Sequence, residues 1–165
     1  MKALRVFDFD ETLVRTDCKI KVKEPSGIEF ELTPAEYALY SAVDGVEFDF
    51  SDFNKAKFDA DPINENISIL KKMLDQPHKK VTVLTARRLA YPVKNFLDSM
   101  GIDVYIVALG TSDPQAKKDW IEDHIKKGYD DIAFMDDSIK NIKAVSELIT
   151  EYPNVIFTLK YIQFE

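Results

Sequence analysis

The sequence predicts an α/β fold in which a buried parallel sheet of about five strands is flanked by helices, a Rossmann-like arrangement. Short apolar segments alternate along the chain with segments in which apolar residues recur every three or four positions. The first pattern is typical of strands buried on both faces and the second of amphipathic helices. A length of 165 residues with 45% hydrophobic residues predicts one domain with a substantial core.

Five segments have the composition of buried strands. The second of them, VTVLT, is rich in β-branched residues. A helical segment separates each strand from the next, which gives the connections the length that parallel neighbours require. The predicted strands cover residues 4–9, 81–85, 104–107, 132–135 and 155–159.

Four apolar stripes at helical spacing lie between these strands. Asp113 and Pro114 have the composition of an N-cap and a first helical residue, and Gly101 and Gly128 follow the ends of two helices. The stripes consist of Ile63, Ile67, Leu70 and Leu74; of Val93, Phe96, Leu97 and Met100; of Trp120, Ile121, His124 and Ile125; and of Ile139, Ile142, Val145 and Ile149.

Residues 19–61 interrupt the alternation and form a predicted small insertion, a cap or flap, after the first strand. Segments 19–23 and 28–32 flank a Pro-Ser-Gly turn, which predicts a β-hairpin, and the sequence TPAE at 33–36 predicts a helix with a capping box. We expect the insertion to lie over the strand ends; the alternative is an extension of the sheet edge. Its four phenylalanines are expected to anchor it to the core, with a base-stacking platform as the alternative: Phe48, Phe50, Phe53 and Phe58.

The bulk properties exclude several classes of protein. A net charge of -7 argues against a stable complex with nucleic acid, which requires a basic surface. The sequence has no run of about 18 apolar residues, so we expect no association with a membrane. The single cysteine, Cys18, excludes an internal disulfide and favours the reducing cytoplasm. The oligomeric state stays open.

Polar side chains follow the carboxyl ends of the predicted strands, where an open parallel sheet binds its ligands. Asp8 and Asp10 are two residues apart, so on an extended backbone their side chains leave the same face. Carboxylates bind a hard cation, while hydroxyl and lysine side chains bind phosphate, so the set predicts Mg²⁺-assisted phosphoryl transfer. The set consists of Asp8, Asp10, Thr12, Thr85, Arg87, Lys117, Lys118, Asp136 and Asp137.

Four of these segments resemble the motifs of the haloacid dehalogenase (HAD) superfamily of phosphotransferases. DFDETL resembles the first motif, LTAR the second, the Lys117-Lys118 pair the third and MDDSIKN the fourth, in the family's order. The resemblance covers essentially the whole chain. It implies a HAD-like fold with the first-motif strand at the centre of the sheet, and a Mg²⁺-dependent phosphomonoesterase.

The resemblance also implies a role for each matched residue. Asp8 corresponds to the nucleophile that becomes an aspartyl-phosphate and to a metal ligand. Asp10 corresponds to the general acid/base, and its main-chain carbonyl to a further metal ligand. Thr85 corresponds to the residue that hydrogen-bonds the phosphate. Asp136 corresponds to the acidic metal ligand, and Asp137 to a second ligand or an orienting residue.

Two positions in the motifs leave alternatives open. Lys117 and Lys118 are about 100° apart on a helix, so one of them points inward. We favour Lys117, because Trp120 shares its face. Arg87 and Arg88 either reach a substrate phosphate or base, or pair with acidic residues of the surface.

The substrate is less well defined than the chemistry. LTAR is similar to the second motif of polynucleotide 3′-phosphatases and nucleotidases, and of uncharacterised HAD proteins of phages and bacteria. The expected substrate is therefore a phosphorylated small molecule or a nucleic acid end, met in the host cytoplasm if the chain is phage-encoded. Glu11 stands where many relatives have glycine, and the run DETL resembles the phosphatases of the RNA polymerase tail, which act on phosphoserine. A phosphoserine/phosphothreonine phosphatase and a non-catalytic phosphate-binding module are the alternatives.

Overall fold

The computed structural model describes residues 1–163, in which strands and helices alternate from Ala60 onward. The strands are β1 (Ala3–Phe7), β2 (Val14–Thr16), β3 (Ile20–Lys23), β4 (Glu29–Leu32), β5 (Glu47–Asp49), β6 (Ala60–Pro62), β7 (Lys79–Thr85), β8 (Tyr105–Ala108), β9 (Asp131–Asp136) and β10 (Ile156–Tyr161). The helices are α1 (Pro34–Leu39), α2 (Asn64–Leu74), α3 (Tyr91–Ser99), α4 (Pro114–Lys126) and α5 (Ile139–Glu151), and a 3₁₀ helix covers Ser51–Asn54.

A five-stranded parallel sheet with the order β10-β9-β1-β7-β8 carries the fold, which confirms the predicted α/β class. The strand that precedes Asp8 is central. Phe7 at its end pairs with Val83 on one side and with Met135 on the other. The carboxyl ends of β1, β7 and β9 therefore meet at one edge of the sheet.

The first strand is shorter than predicted, because the chain turns after Phe7. The amide N–H groups of Thr12 and Leu13 donate to the carbonyl of Phe9 at 3.2 and 2.9 Å. Phe9 is fully buried, so its apolar character is explained by packing outside the strand. The sequence pattern therefore placed the end of this strand two residues too late.

Helices pack on both faces of the sheet. On one face α2 and α3 contribute Ile67, Leu70, Val93 and Leu97 to a core that includes Val83. On the other face α4 and α5 contribute residues such as Ile121, Val145 and Leu148 to a core that includes Leu4 and Val6. Burying one such side chain stabilises the fold by roughly 1.5–3 kcal/mol. Within residues 1–163, no helix has both the length and the apolar character needed to cross a bilayer.

Side-chain caps fix where the two helices nearest the site begin. Asp113 accepts a hydrogen bond from the amide of Gln115 at 3.0 Å, as its predicted N-cap role requires. Ser138 accepts one from the amide of Asn141 at 3.3 Å. These caps set the positions of the first turns of α4 and α5, which carry Lys117 and Asn141.

The insertion contains the predicted hairpin and helix. Strands β3 and β4 pair antiparallel, and the capping box of α1 is complete, with bonds of 3.1 and 2.9 Å between Thr33 and Glu36. Strand β5 pairs with the other edge of β3, and β2 pairs with β6. The sheet formed by β3, β4 and β5 is separate from the five-stranded sheet, so the insertion does not extend the edge of that sheet.

The four phenylalanines of the insertion divide into two pairs. Phe58 stacks on Phe96 of α3 with ring centroids 5.4 Å apart, as expected of an anchor to the core. Phe53 is buried in the insertion's own core and reaches the rest of the fold through the guanidinium of Arg87, 4.9 Å from its ring centroid. Phe48 and Phe50 instead belong to an aromatic cluster with Tyr37. The expectation that all four serve as anchors is therefore wrong for Phe50, which is 41% exposed.

Candidate active site

The turn after β1 directs two carboxylates toward one cavity. Asp8 and Asp10 both line it, while Phe9 between them points into the core. Glu11 closes the turn in the left-handed region at φ 62°, and its amide donates to the carbonyl of Val14 at 2.7 Å. The alternation expected from the sequence therefore persists beyond the end of the strand.

Lys117 connects the ends of β1 and β9. Its ammonium donates to Oδ1 of Asp8 at 2.9 Å and to Oδ2 of Asp136 at 2.8 Å, with a side chain that is 3% exposed. Burial lowers the pKa of Lys117, but the charges of Asp136 and Asp8 raise it by more, so the net shift is upward. Lys117 is therefore a buried cation placed between two carboxylates.

Lys118 points away from this site. Its ammonium lies 3.4 Å from the carboxylates of both Glu147 and Glu151 on α5. The structure thus places Lys117 beside Asp8 and Lys118 at the interface between α4 and α5.

Asp8 is held by two donors, one on each oxygen. Thr12, which is fully buried, donates its hydroxyl to Oδ2 of Asp8 at 2.9 Å, while Lys117 occupies Oδ1. Burial and the neighbouring charge of Asp136 raise the pKa of Asp8 to about 6, against the lowering effect of Lys117. Thr12 and Lys117 therefore hold in one orientation a carboxylate whose burial favours its protonated form.

Three donors orient Asp136. The amide of Ser138 donates to Oδ1 at 2.8 Å, and Nδ2 of Asn141 and the ammonium of Lys117 donate to Oδ2 at 3.0 and 2.8 Å. Asn141 was not singled out from the sequence, although it belongs to the MDDSIKN segment. Its spacing of five residues from Asp136 across a helix N-terminus was the signal that could have identified it.

Asp8, Asp136 and Asp137 form a group that fits a metal ion. Each offers a carboxylate oxygen within 4.8 Å of the others. Burial raises the pKa of Asp137 to about 10, and repulsion from the charge of Asp8 adds to this rise. A divalent cation would relieve this repulsion, and oxygen ligands of this kind suit Mg²⁺.

The side chain of Asp10 lies outside this group, in an ion pair with Arg87. Nε and Nη2 of Arg87 donate to the two carboxylate oxygens at 2.9 and 2.7 Å. Arg87 is buried, its guanidinium lies 4.6–5.4 Å from the ring centroids of Phe9, Phe53 and Phe58, and Nη1 donates to the carbonyl of Phe53. Arg87 therefore pairs with a site residue and not with an acid of the surface.

Thr85 lies at the end of β7 and is buried. Its hydroxyl accepts a hydrogen bond from the amide of Arg87 at 3.2 Å, which leaves the hydroxyl hydrogen able to donate. Thr85 is not among the described residues that line the cavity, whereas Ala86, Arg87 and Arg88 are. The structure thus places Thr85 at the same sheet edge as Asp8 and Asp136, directly before Ala86, which lines the cavity.

The cavity above these residues has a volume of about 920 Å³. Its floor includes Asp8, Asp10, Lys117, Asp136 and Asp137. Its other wall is formed by the insertion, with the side chains of Tyr37, Tyr40, Phe48, Phe50 and Phe53. The volume lies within the range of sites that bind a small molecule.

Comparison with protein-family models, with curated proteins and with solved structures finds no match for this chain.

Proposed function

We propose that the chain is a Mg²⁺-dependent phosphomonoesterase of the HAD type that works through an aspartyl-phosphate on Asp8. The observation that carries the proposal is the arrangement of Lys117 between Asp8 and Asp136 at the carboxyl ends of adjacent strands. A buried ammonium beside an ionised carboxylate offsets the repulsion between that carboxylate and an incoming phosphate.

Asp8, Asp136 and Asp137 are the residues that would hold Mg²⁺, together with the main-chain carbonyl of Asp10. When bound, the ion would supply positive charge that neutralises the phosphoryl oxygens. Lys117 and Thr12 keep the carboxylate of Asp8 in one orientation. Asn141 and Ser138 do the same for Asp136.

In the proposed reaction an oxygen of Asp8 attacks phosphorus and the bond to the leaving oxygen breaks. Asp10 gives its proton to that oxygen. Asp10 then takes a proton from water, the water oxygen attacks phosphorus, and inorganic phosphate leaves as Asp8 is regenerated. Thr85 and Lys117 are the protein donors proposed to contact the transferring group. The substrate would be a phosphorylated small molecule, a nucleotide or the end of a nucleic acid.

The Arg87–Asp10 ion pair favours a second candidate function, phosphate binding without turnover. Both oxygens of Asp10 are engaged by Arg87, so Asp10 has to leave this pair before it can carry a proton. A chain in which the pair never opens would bind phosphate but turn over slowly. Turnover is the preferred function because Asp8, Lys117 and Asp136 are arranged for nucleophilic attack.

Release of phosphate from p-nitrophenyl phosphate tests the proposal. The wild type is compared with Asp8→Asn, each with Mg²⁺ and with a chelator, and with Asp103→Asn as the control because Asp103 is 97% exposed. We expect release that requires both Mg²⁺ and Asp8 and is unaltered in Asp103→Asn. Binding of inorganic phosphate without release would favour the second candidate, and equal release from Asp8→Asn would exclude Asp8 as the nucleophile.

A further inference from the structure

The catalytic cavity has an aromatic wall opposite its carboxylates. Tyr37, Phe48 and Phe50 are in mutual ring contact, with centroids 5.3–6.1 Å apart, and all three line the cavity that also contains Asp8 and Lys117. We refer to these three residues as the aromatic wall. A ligand whose phosphate lies beside Asp8 would therefore have the rest of its structure in contact with, or close to, aromatic rings.

Phe50 is the member of the wall whose position is least explained by folding. The buried core of the insertion includes Cys18, Ile20, Val22, Leu32 and Phe53, and Tyr37 and Phe48 pack against it. Phe50 does not belong to that core within the described part of the chain, and it is 41% exposed. Phe50 therefore keeps an accessible aromatic surface inside the cavity that also contains Asp8, where a bound ligand would cover it.

Hydrogen bonds connect the elements that carry the aromatic wall to the elements that carry the proposed phosphoryl site. The hydroxyls of Tyr37 and Ser112 are 2.9 Å apart, which ties α1 to the loop that leads into α4. That helix carries Lys117 on its first turns. On the opposite side, Arg87 donates to the carbonyl of Phe53, which joins the 3₁₀ helix next to Phe50 to the site.

We propose that the aromatic wall is a subsite for the base of a nucleoside monophosphate, with Phe50 as the stacking residue; this rests on the proposed function. Every base has a flat π surface that stacks on an aromatic side chain without sequence preference. Arg88 and Lys140 line the same cavity and supply positive charge for the phosphate. A cavity of about 920 Å³ accommodates both a phosphate and a nucleoside.

The choice of a nucleoside follows from the chemistry of the wall. The three wall residues present three aromatic rings and one hydroxyl, that of Tyr37, which lies 2.9 Å from the hydroxyl of Ser112, so the wall itself suits a flat apolar surface better than a sugar. A nucleobase instead buries a planar surface against the rings. Its edges stay available to solvent or to polar residues that line the cavity, such as Asn54 and Ser51.

The test compares the kcat/KM for adenosine 5′-monophosphate with the kcat/KM for ribose 5-phosphate. The two share phosphate and sugar and differ in the base. In Phe50→Ala and Phe50→Leu we expect the ratio to fall about 5- to 150-fold, the range that stacking of one base supports. Phe50→Tyr should keep most of the ratio. Phe30→Ala is the matched control, because Phe30 contacts Tyr40 in the same insertion and is not a lining residue of the described cavity.

A binding measurement separates this proposal from the proposed function. Calorimetry with adenosine 5′-monophosphate and ribose 5-phosphate on wild type and Phe50→Ala is expected to show a base-dependent affinity that Phe50→Ala loses, even if no phosphate is released. A second arm replaces the mononucleotide by 5′- and 3′-phosphorylated oligonucleotides, to identify whether the nucleoside comes from a free nucleotide or a strand end. Equal ratios and affinities in wild type, Phe50→Ala and Phe50→Leu would overturn the subsite.

Discussion

Glu11 has a backbone conformation that glycine adopts at lower cost. Its φ is 62°, in the left-handed region, and it is buried at the turn that carries Asp8 and Asp10. For a residue with a Cβ atom this conformation costs roughly 1–2 kcal/mol. The structure thus gives a physical reason for a glycine to be favoured at this position of the motif.

A pair of substitutions measures this cost. We expect Glu11→Gly to be more stable than Glu11→Ala by about 0.5–1 kcal/mol, because both remove the side chain and only glycine fits the left-handed turn. Urea denaturation of the two variants gives the difference. At the exposed helical position Lys143 we expect the opposite: Lys143→Ala should be more stable than Lys143→Gly. An alanine variant that is as stable as the glycine variant at position 11 would contradict the turn geometry.

The ion pair between Asp10 and Arg87 predicts a coupling free energy. Bonds of 2.9 and 2.7 Å join a buried guanidinium to a carboxylate that is 16% exposed. A double-mutant cycle with Asp10→Asn and Arg87→Met should give a coupling of about 1–3 kcal/mol in the free energy of unfolding. Urea denaturation of the four proteins supplies the values. Additive costs in the cycle would show that the pair is not formed in solution.

At the scale of the element, helix α4 places two adjacent lysines in different environments. Lys117 is between Asp8 and Asp136, whereas Lys118 is beside Glu147 and Glu151. Lys117→Met should lower kcat/KM by at least about 100-fold, because it removes a preorganised cation from the site. Lys118→Met is the matched control and should stay within about twofold of wild type, because partly exposed ion pairs contribute little. Steady-state phosphatase kinetics compare the two variants. A larger loss of kcat/KM in Lys118→Met than in Lys117→Met would contradict the assignment of Lys117 to the site.

Local sequence signals accounted for the elements that are buried or capped. VTVLT identified the strand β7, and Thr33 with Glu36 identified α1, because burial selects apolar residues and capping selects particular polar residues at fixed positions. The three-residue strands β2, β5 and β6 were missed. Segments as short as Glu47–Asp49 have too few positions to show a period, and their pairing depends on tertiary contacts.

In the candidate site, too, the features with a local sequence signal were predicted and those that depend on tertiary contacts were not. The rule that ligands bind at strand ends brought Asp8, Thr85 and Asp136 to one edge, and the register of the sheet agrees. The pairing of Arg87 with Asp10 was not predicted. It depends on how a turn and the insertion pack together, and residues 77 positions apart carry no local signal of such a contact.

At the scale of the whole molecule, the negative charge concentrated at the site predicts stabilisation by a divalent cation. The chain carries a net charge of -7, and Asp8, Asp136 and Asp137 are within 4.8 Å of one another. At a Mg²⁺ concentration 100 times the dissociation constant, binding should add about 2.7 kcal/mol to the free energy of unfolding. For a chain of this size that corresponds to a rise in Tm of roughly 5–10 °C.

Thermal unfolding with MgCl₂, and with NaCl at the same ionic strength, checks this expectation. Asp136→Asn should lose most of the increase in Tm, and Asp103→Asn, which alters an exposed carboxylate, should keep it. An equal increase in the wild type and in Asp136→Asn would mean that the cation binds elsewhere.

The covalent state of Asp8 during turnover tests the central claim most directly. Borohydride reduces an acyl phosphate to an alcohol, so an aspartyl-phosphate on Asp8 would be converted to homoserine, which peptide mass spectrometry locates. We expect homoserine at position 8 in protein quenched during turnover, more of it in Asp10→Asn, where the second step is slowed, and none without substrate. Sustained phosphate release by the wild type with an unmodified Asp8 in both proteins would contradict the account.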